Sequence, residues 1–211
     1  MKIFIDFDDV IFNTDLFKKR LSKIFCKNGI SKKEFENSYR QFKKQKILYS
    51  PTKHIKLLIK DKNCGHILYS DILKFLKDLK LYIFKDAKEF LSNCPKNNLY
   101  LLSYGDLKFQ KQKIKGAGIS KYFKRVIITN KSKIEIIKKI AKRDRFSKLE
   151  RIIFIDDKSQ NIEEVKRKNI ITIQLMRSAD KSTLSKKADF KAKNFREIKK
   201  SLRNFRKDLL Y

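Results

Sequence analysis

Tryptophan is missing from this 211-residue chain, which also holds only two prolines, five glycines, three cysteines and two histidines. So little glycine and proline leaves no flexible linker and few breakpoints, and the length allows one core with a modest insertion. Cys26, Cys64 and Cys94 are odd in number and widely spaced, which excludes a disulfide framework and a zinc site built on them. His54 and His66 are too few and too scattered to make one either. The opening Met1-Lys2-Ile3-Phe4-Ile5-Asp6 meets acid too early for a secretory signal, and no apolar run approaches the length of a membrane span. A reducing cytoplasm and no membrane partner are the expectations.

Acid is scarce beside base. Lys and Arg number 54 against 23 Asp and Glu, a formal charge of +31. Such a surplus attracts phosphates and predicts non-specific binding of nucleic acid, but charge alone sets affinity rather than function. The composition is otherwise globular, with 41% hydrophobic and 12% aromatic residues, and Phe, Ile, Tyr and Leu recur throughout.

Five short apolar runs read as strands: Ile3–Phe7, Leu99–Leu102, Arg125–Thr129, Ile152–Ile155 and Ile170–Leu175. Continuous apolar runs of this length fit strands covered on both faces, as in a parallel sheet. Helical patterns lie between the later ones: Phe109–Ala117 running into Gly118, Lys133–Arg143 with Ile134, Ile137 and Ala141, and Ile162–Lys168 after Asn161. The alternation predicts a doubly wound α/β domain with a mostly parallel five-stranded sheet.

From about Thr14 to Leu81 the rhythm changes to helical spacing with no clear strand. Phe17, Leu21, Ile24 and Phe25 share one face before Gly29, and Ser31-Lys32-Lys33-Glu34 is a capping box for a helix whose inner face is Phe35, Tyr39 and Phe42. Pro51 can start a third helix bearing Ile55, Leu58 and Ile59, and Ile72–Leu79 gives a fourth. The division expected is an α/β core of residues 1–14 and 82–211 with a helical insertion of residues 15–81. The basic stretch from Lys181 carries Phe190, Phe195, Ile198 and Leu202, which favours a terminal amphipathic helix on the sheet over a nucleic-acid arm.

Four features fall at the ends of four strands. Asp6-Phe7-Asp8-Asp9 follows the first, and alternation along a strand would turn Asp6 and Asp8 to the same side. Leu101-Leu102-Ser103-Tyr104-Gly105 puts a hydroxyl at a strand end. Ile128-Thr129-Asn130-Lys131-Ser132-Lys133 puts lysines at a helix start, where a cation opposes the macrodipole and needs another reason to be. Ile153-Phe154-Ile155-Asp156-Asp157 repeats the pattern of strand then carboxylates, with Asn161 beyond. Ligands collect at the carboxyl ends of strands in open α/β sheets.

In this order the motifs resemble those of the haloacid dehalogenase-like superfamily, in its phosphatase branch with a helical cap inserted between the first and second motifs. The resemblance implies a Mg²⁺-dependent phosphatase with Asp6 as nucleophile and Asp8 as general acid and base. It implies that Ser103, with Tyr104, hydrogen-bonds the phosphoryl group and that Lys133 neutralises it. Asp157, helped by Asp156, would hold Mg²⁺ together with Asp6 and the Asp8 carbonyl. Dehalogenases of this core lack an aspartate at the place of Asp8, whereas phosphomutases keep it, so the resemblance implies phosphate esters and leaves a mutase open.

The sequence also departs from the family's pattern. Asp9 stands where many members have glycine, Asn161 where others carry an acid, and no proline follows the lysine, so Lys131 competes with Lys133. Lys133 is preferred because Ile134 and Ile137 then fall on the buried helix face. The substrate expected is a small phosphorylated metabolite or nucleotide. Tyr39, Arg40, Lys44 and Lys53 are the polar residues of the insertion that could meet it. Two other readings use the charge: a scaffold of this fold that binds RNA or DNA, and a phosphatase of nucleic-acid ends.

Overall fold

A computed structural model describes residues 1–59, 62–147, 149–177 and 183–207. Lys181 and the side chain of Cys64 lie outside the described residues. Two compact units result: Met1–Phe12, Ile83–Tyr104 and Ser120–Tyr211 form the first, Asn13–Tyr82 and Gly105–Ile119 the second.

The first unit is built on a parallel sheet of β1 (Lys2–Ile5), β2 (Leu99–Tyr104), β3 (Arg125–Thr129), β4 (Ile152–Asp156), β5 (Ile170–Leu175) and β6 (Phe190–Ala192). The strand order is β3-β2-β1-β4-β5-β6, with every pairing parallel. The fold is therefore the expected α/β class, with six strands in place of five. The sixth was missed because three residues set among lysines leave no periodic signal. Both faces of the central strands are buried, which explains their unbroken apolar runs. Phe4, Tyr100, Leu102, Ile152 and Phe154 pack on one face with Ile134, Ile137 and Ile140 of α7 (Lys133–Arg143) and Ile162 and Val165 of α8 (Ser159–Val165). Ile5, Leu101, Ile153 and Ile155, of opposite parity, are buried as well.

Helix α8 begins three residues before the expected Ile162 and ends at Val165, since Arg167 turns back to bridge Ile170. The expected terminal helix is present as α9 (Phe195–Lys207), with Phe195 and Ile198 buried. It packs on β6 and on α5 (Lys85–Ser92), where the Phe195 and Phe90 rings lie 4.8 Å apart.

The second unit is helical: α1 (Thr14–Lys27), α2 (Lys32–Lys44), α3 (Pro51–Leu58), α4 (Lys62–Leu76) and α6 (Leu107–Ala117). The Ser31–Glu34 capping box forms in both directions, and Ser50 caps α3 with Pro51 at its first turn. Helix α4 replaces the expected Ile72–Leu79. It ends at Leu76, whose carbonyl lies against Gly116 of α6, where an added Cβ would come within 2.0 Å of that oxygen. The Leu79 amide then donates to the Gly116 carbonyl at 2.9 Å. Gly118 stops α6 in the left-handed region, φ 67°, as its position predicts.

Candidate active site

The sheet reverses its winding at β1. One course of strands runs from β1 to β2 and β3, the other from β1 to β4, β5 and β6, and in open α/β sheets ligands bind at such a switch point, beyond the carboxyl ends of the strands. Register decides what stands there. Ile5 is opposite both Leu101 and Ile155, so Asp6 and Asp156 follow on adjacent strands at the same level and Ser103 lies slightly beyond.

The Asp6 amide still donates to the Ile155 carbonyl at 2.9 Å, which extends the pairing past β1 and fixes the carboxylate beside β4. Lys133 Nζ lies 2.7 Å from Asp6 Oδ1 and 2.6 Å from Asp156 Oδ2, with the lysine 2% exposed. It reaches this place as the first residue of α7, capped by Ser132, after the Thr129 hydroxyl has turned the chain by accepting from the Lys131 amide. The dipole of α7 opposes an ammonium at its start, and two buried carboxylates offset that cost. Burial lowers the Lys133 pKa, but Asp156 and Asp6 more than restore it and leave it well above the ordinary value. Lys131 is exposed.

Burial pushes the Asp6 carboxyl up to about 6, with Lys133 pulling the other way and the Asp156 charge adding to the rise. Asp157 is pushed up to about 8, by burial first and then by the charges of Asp6 and Asp156. Asp156 is fully buried and held from several sides: Asn161 Nδ2 donates to both its oxygens at 3.0 and 2.9 Å, and the Lys158 amide donates to Oδ1 at 2.9 Å. Asn161 thus acts as a support for Asp156. By contrast, Asp157 Oδ1 is buried without a hydrogen-bond partner among the described residues, and so is the Ser103 hydroxyl, at 1% exposure. Each such atom costs about 1–3 kcal/mol unless something else satisfies it.

One geometric expectation needs correction. β1 ends at Ile5, so Asp6 and Asp8 do not share a strand. The chain curls instead: the Ile11 and Phe12 amides both donate to the Phe7 carbonyl at 3.0 Å, and the Asp9 amide donates to the Phe12 carbonyl at 2.9 Å. Asp8 is half-buried on this turn, and Asp9 holds φ 57°. That left-handed conformation suits glycine and is tolerated by aspartate better than by most side chains. Tyr104 ends β2 and is 47% exposed.

Sequence reasoning passed over Lys158. Desolvation lowers its pKa, and Asp6, Asp157 and Asp156 more than offset this, so it is a second cation in the field of the carboxylates. Its signal was a lysine placed directly after two aspartates.

Oxygen atoms of Asp6, Asp156 and Asp157 lie within 4.8 Å of one another. An all-oxygen set with one buried, unpartnered carboxylate oxygen fits a hard divalent cation such as Mg²⁺.

No family model and no curated protein matches this sequence. Solved structures do. YfnB from Bacillus subtilis, described as a HAD-hydrolase bound to magnesium, aligns at a TM-score of 0.66 and 15% identity over 93% of this chain and 96% of that one. A Clostridium difficile protein described as a candidate phosphatase aligns at 0.60 and 19% identity over 95% and 97%. The L-2-haloacid dehalogenase of Xanthobacter autotrophicus aligns at 0.66 and 11% identity over 96% and 98%. At these identities the likeness concerns architecture, and on that ground the chain has the fold of the haloacid dehalogenase-like hydrolases.

Proposed function

We propose that this protein is a Mg²⁺-dependent phosphomonoester hydrolase that forms an aspartyl-phosphate on Asp6 and takes a small phosphorylated metabolite or nucleotide. The observation that carries the reading is the buried Lys133 ammonium held between Asp6 and Asp156. The Ser103 hydroxyl on the neighbouring strand, buried without a partner among the described residues, supports it.

In the first step an Asp6 carboxylate oxygen attacks phosphorus. As the bond to the ester oxygen breaks, Asp8 gives its proton to that oxygen and the alcohol departs. Asp8, now a carboxylate, takes a proton from water, whose oxygen attacks the same phosphorus. The bond from phosphorus to Asp6 breaks, inorganic phosphate leaves and both aspartates are restored.

A carboxylate meeting a phosphate dianion is repelled by ~4 kcal/mol or more per close charge pair at moderate dielectric. Lys133 opposes that repulsion, and Ser103, with Tyr104, donates hydrogen bonds to the phosphoryl oxygens. Magnesium, held by Asp6, Asp157 and the Asp8 carbonyl with help from Asp156, would neutralise those oxygens further. A halide leaves without a proton whereas an alkoxide needs one, so Asp8 favours phosphate esters over the dehalogenation named for one similar structure. Residues 15–81, inserted between the strands that carry Asp6 and Ser103, are the part assigned to substrate choice.

The test is hydrolysis of p-nitrophenyl phosphate by wild type and Asp6→Asn, with Mg²⁺ and with EDTA. Turnover that requires both the metal and Asp6 is expected; turnover that survives in Asp6→Asn contradicts the mechanism. RNA binding that weakens steeply with salt would instead move weight to a nucleic-acid partner.

A further inference from the structure

Arg177 lies two residues past β5 and has no part in the steps above, yet it is among the most constrained cations of the first unit. Its Nε donates to the Val10 carbonyl at 2.9 Å. Its Nη1 donates to both oxygens of Asp86, at 3.1 and 3.2 Å. The guanidinium carbon sits 3.7 Å from the centroid of the Phe84 ring, and Nη2 is buried without a partner among the described residues. Desolvation lowers the Arg177 pKa while Asp86 and Asp9 raise it, so the guanidinium accepts a poor environment to remain there.

What Arg177 grips is the turn after β1. The amides of Asp9, Ile11 and Phe12 bond within the turn, and the Ile11 carbonyl accepts from the Phe84 amide at 3.0 Å. The Val10 carbonyl is fixed from outside it, by Arg177 Nε. Val10 is two residues from Asp8. The other end of the grip is firm: Asp86 stands in the first turn of α5, and its Oδ2 also accepts from the Phe195 amide at 2.8 Å, where α9 begins. A rigid planar fork that stacks on an aromatic face suits such a three-way tie, and a lysine could keep the charge but not the geometry.

We propose that Arg177 is a positioning residue for Asp8. Through the Val10 carbonyl it holds the turn that carries the proton donor, with Asp86 and Phe84 setting its orientation. The inference rests on the proposed phosphoryl chemistry for its kinetic meaning, though the mechanical tie stands on geometry alone. Displacing a catalytic group by about 1 Å can cost roughly a hundredfold in rate.

The experiment compares wild type, Arg177→Lys, Arg177→Gln and Asp8→Asn on two esters. p-Nitrophenyl phosphate releases a group that needs little protonation, and an alkyl phosphate releases one that needs it. Arg177→Gln is expected to lower kcat on the alkyl ester about tenfold more than on the nitrophenyl ester, as a weaker form of the Asp8→Asn pattern. Arg177→Lys should fall between, with KM little changed, and it serves if the glutamine variant does not fold. Equal loss on both esters overturns the positioning role. Should wild type hydrolyse neither ester, the proposed function fails, and the tie is read by amide hydrogen exchange instead. Faster exchange at Asp9, Ile11 and Phe12 in the Arg177 variants, with Ile153 and Ile155 of β4 still protected, supports it; unchanged exchange at the turn overturns it.

Discussion

Around Asp6 the first unit buries charge, and around His54 the second unit buries a neutral ring. At the strand ends three carboxylates crowd one another, two of them share a lysine, and Asp157 Oδ1 and Ser103 Oγ have no hydrogen-bond partner among the described residues. His54, 0% exposed, is fully satisfied. The Ser38 hydroxyl donates to the Glu34 carbonyl at 2.6 Å, so it accepts from His54 Nε2 at 2.7 Å, and Nδ1 accepts from the Tyr49 hydroxyl at 3.1 Å. The rings of Phe25 and Phe35 lie 4.7 and 4.9 Å from the imidazole. Both centres shift pKa values, since burial followed by the charge of Lys18 takes His54 down to about 4. The difference is what remains to be done: open valence at the first centre invites a ligand, while closed hydrogen bonding at the second specifies packing.

The largest effect expected is at the charged centre. Asp6→Asn should lower turnover by roughly 10⁴-fold or more, since loss of the nucleophile in a serine protease reaches that size, while thermal melting stays cooperative. A loss under about tenfold would put Asp6 on a par with a structural carboxylate and erase the contrast.

The neutral centre should answer in stability instead. His54→Ala leaves a cavity and strips Ser38 and Tyr49 of a partner, and should cost about 3 kcal/mol or more in urea unfolding. A cost below about 0.5 kcal/mol, typical of a surface site, would show that the ring is not what organises those helices.

Magnesium separates the two centres next. At a concentration about a hundredfold above its Kd it should stabilise the fold by about 2.7 kcal/mol, read as a rise in Tm that EDTA reverses. Asp157→Asn should abolish the rise and His54→Ala should not. A rise retained in Asp157→Asn would place the ion elsewhere.

The smallest effect is in pH. His54 falls from 6.5 to about 4 on folding, so between those values the unfolded chain binds more protons at this site. Its contribution is present above pH ~6.5 and is lost as pH falls toward ~4, about 3 kcal/mol in total, of which about 2 kcal/mol falls between pH 7 and 4.5. Asp6, raised to about 6, acts with the opposite sign in an overlapping window, because the folded form then holds the extra proton. The quantity to measure is therefore the stability difference between wild type and His54→Gln. That difference should shrink as pH is lowered from 7 to 4.5, and a constant difference would mean that His54 titrates normally in the fold.

The parts of the molecule that sequence made legible are those with a local cause. Central parallel strands buried on both faces show as apolar runs, and caps such as Ser31–Glu34 show as spaced residues. Asp6, Ser103, Lys133 and Asp156–Asp157 stood out because each follows or opens such an element. Of the two grounds for Asp8, the resemblance and strand alternation, the second does not hold, since β1 stops at Ile5 and a left-handed Asp9 bends the chain. β6 is too short to carry a period. The Arg177 tie joins residues 167 and 91 positions apart, and the place of His54 among five rings depends on packing between helices. No window of sequence contains either.

The most direct measurement of the central claim is to trap the phosphoryl group on its carrier. Asp8→Asn, which by the proposed mechanism cannot activate water, is mixed with Mg²⁺ and p-nitrophenyl phosphate, quenched in acid, digested and weighed by mass spectrometry. The account predicts one phosphoryl group on the peptide that carries Asp6, and none when Asp6→Asn is added to the same protein. A phosphoryl group on any other residue, or nitrophenol released from the Asp8→Asn protein with Asp6 unlabelled, would contradict it.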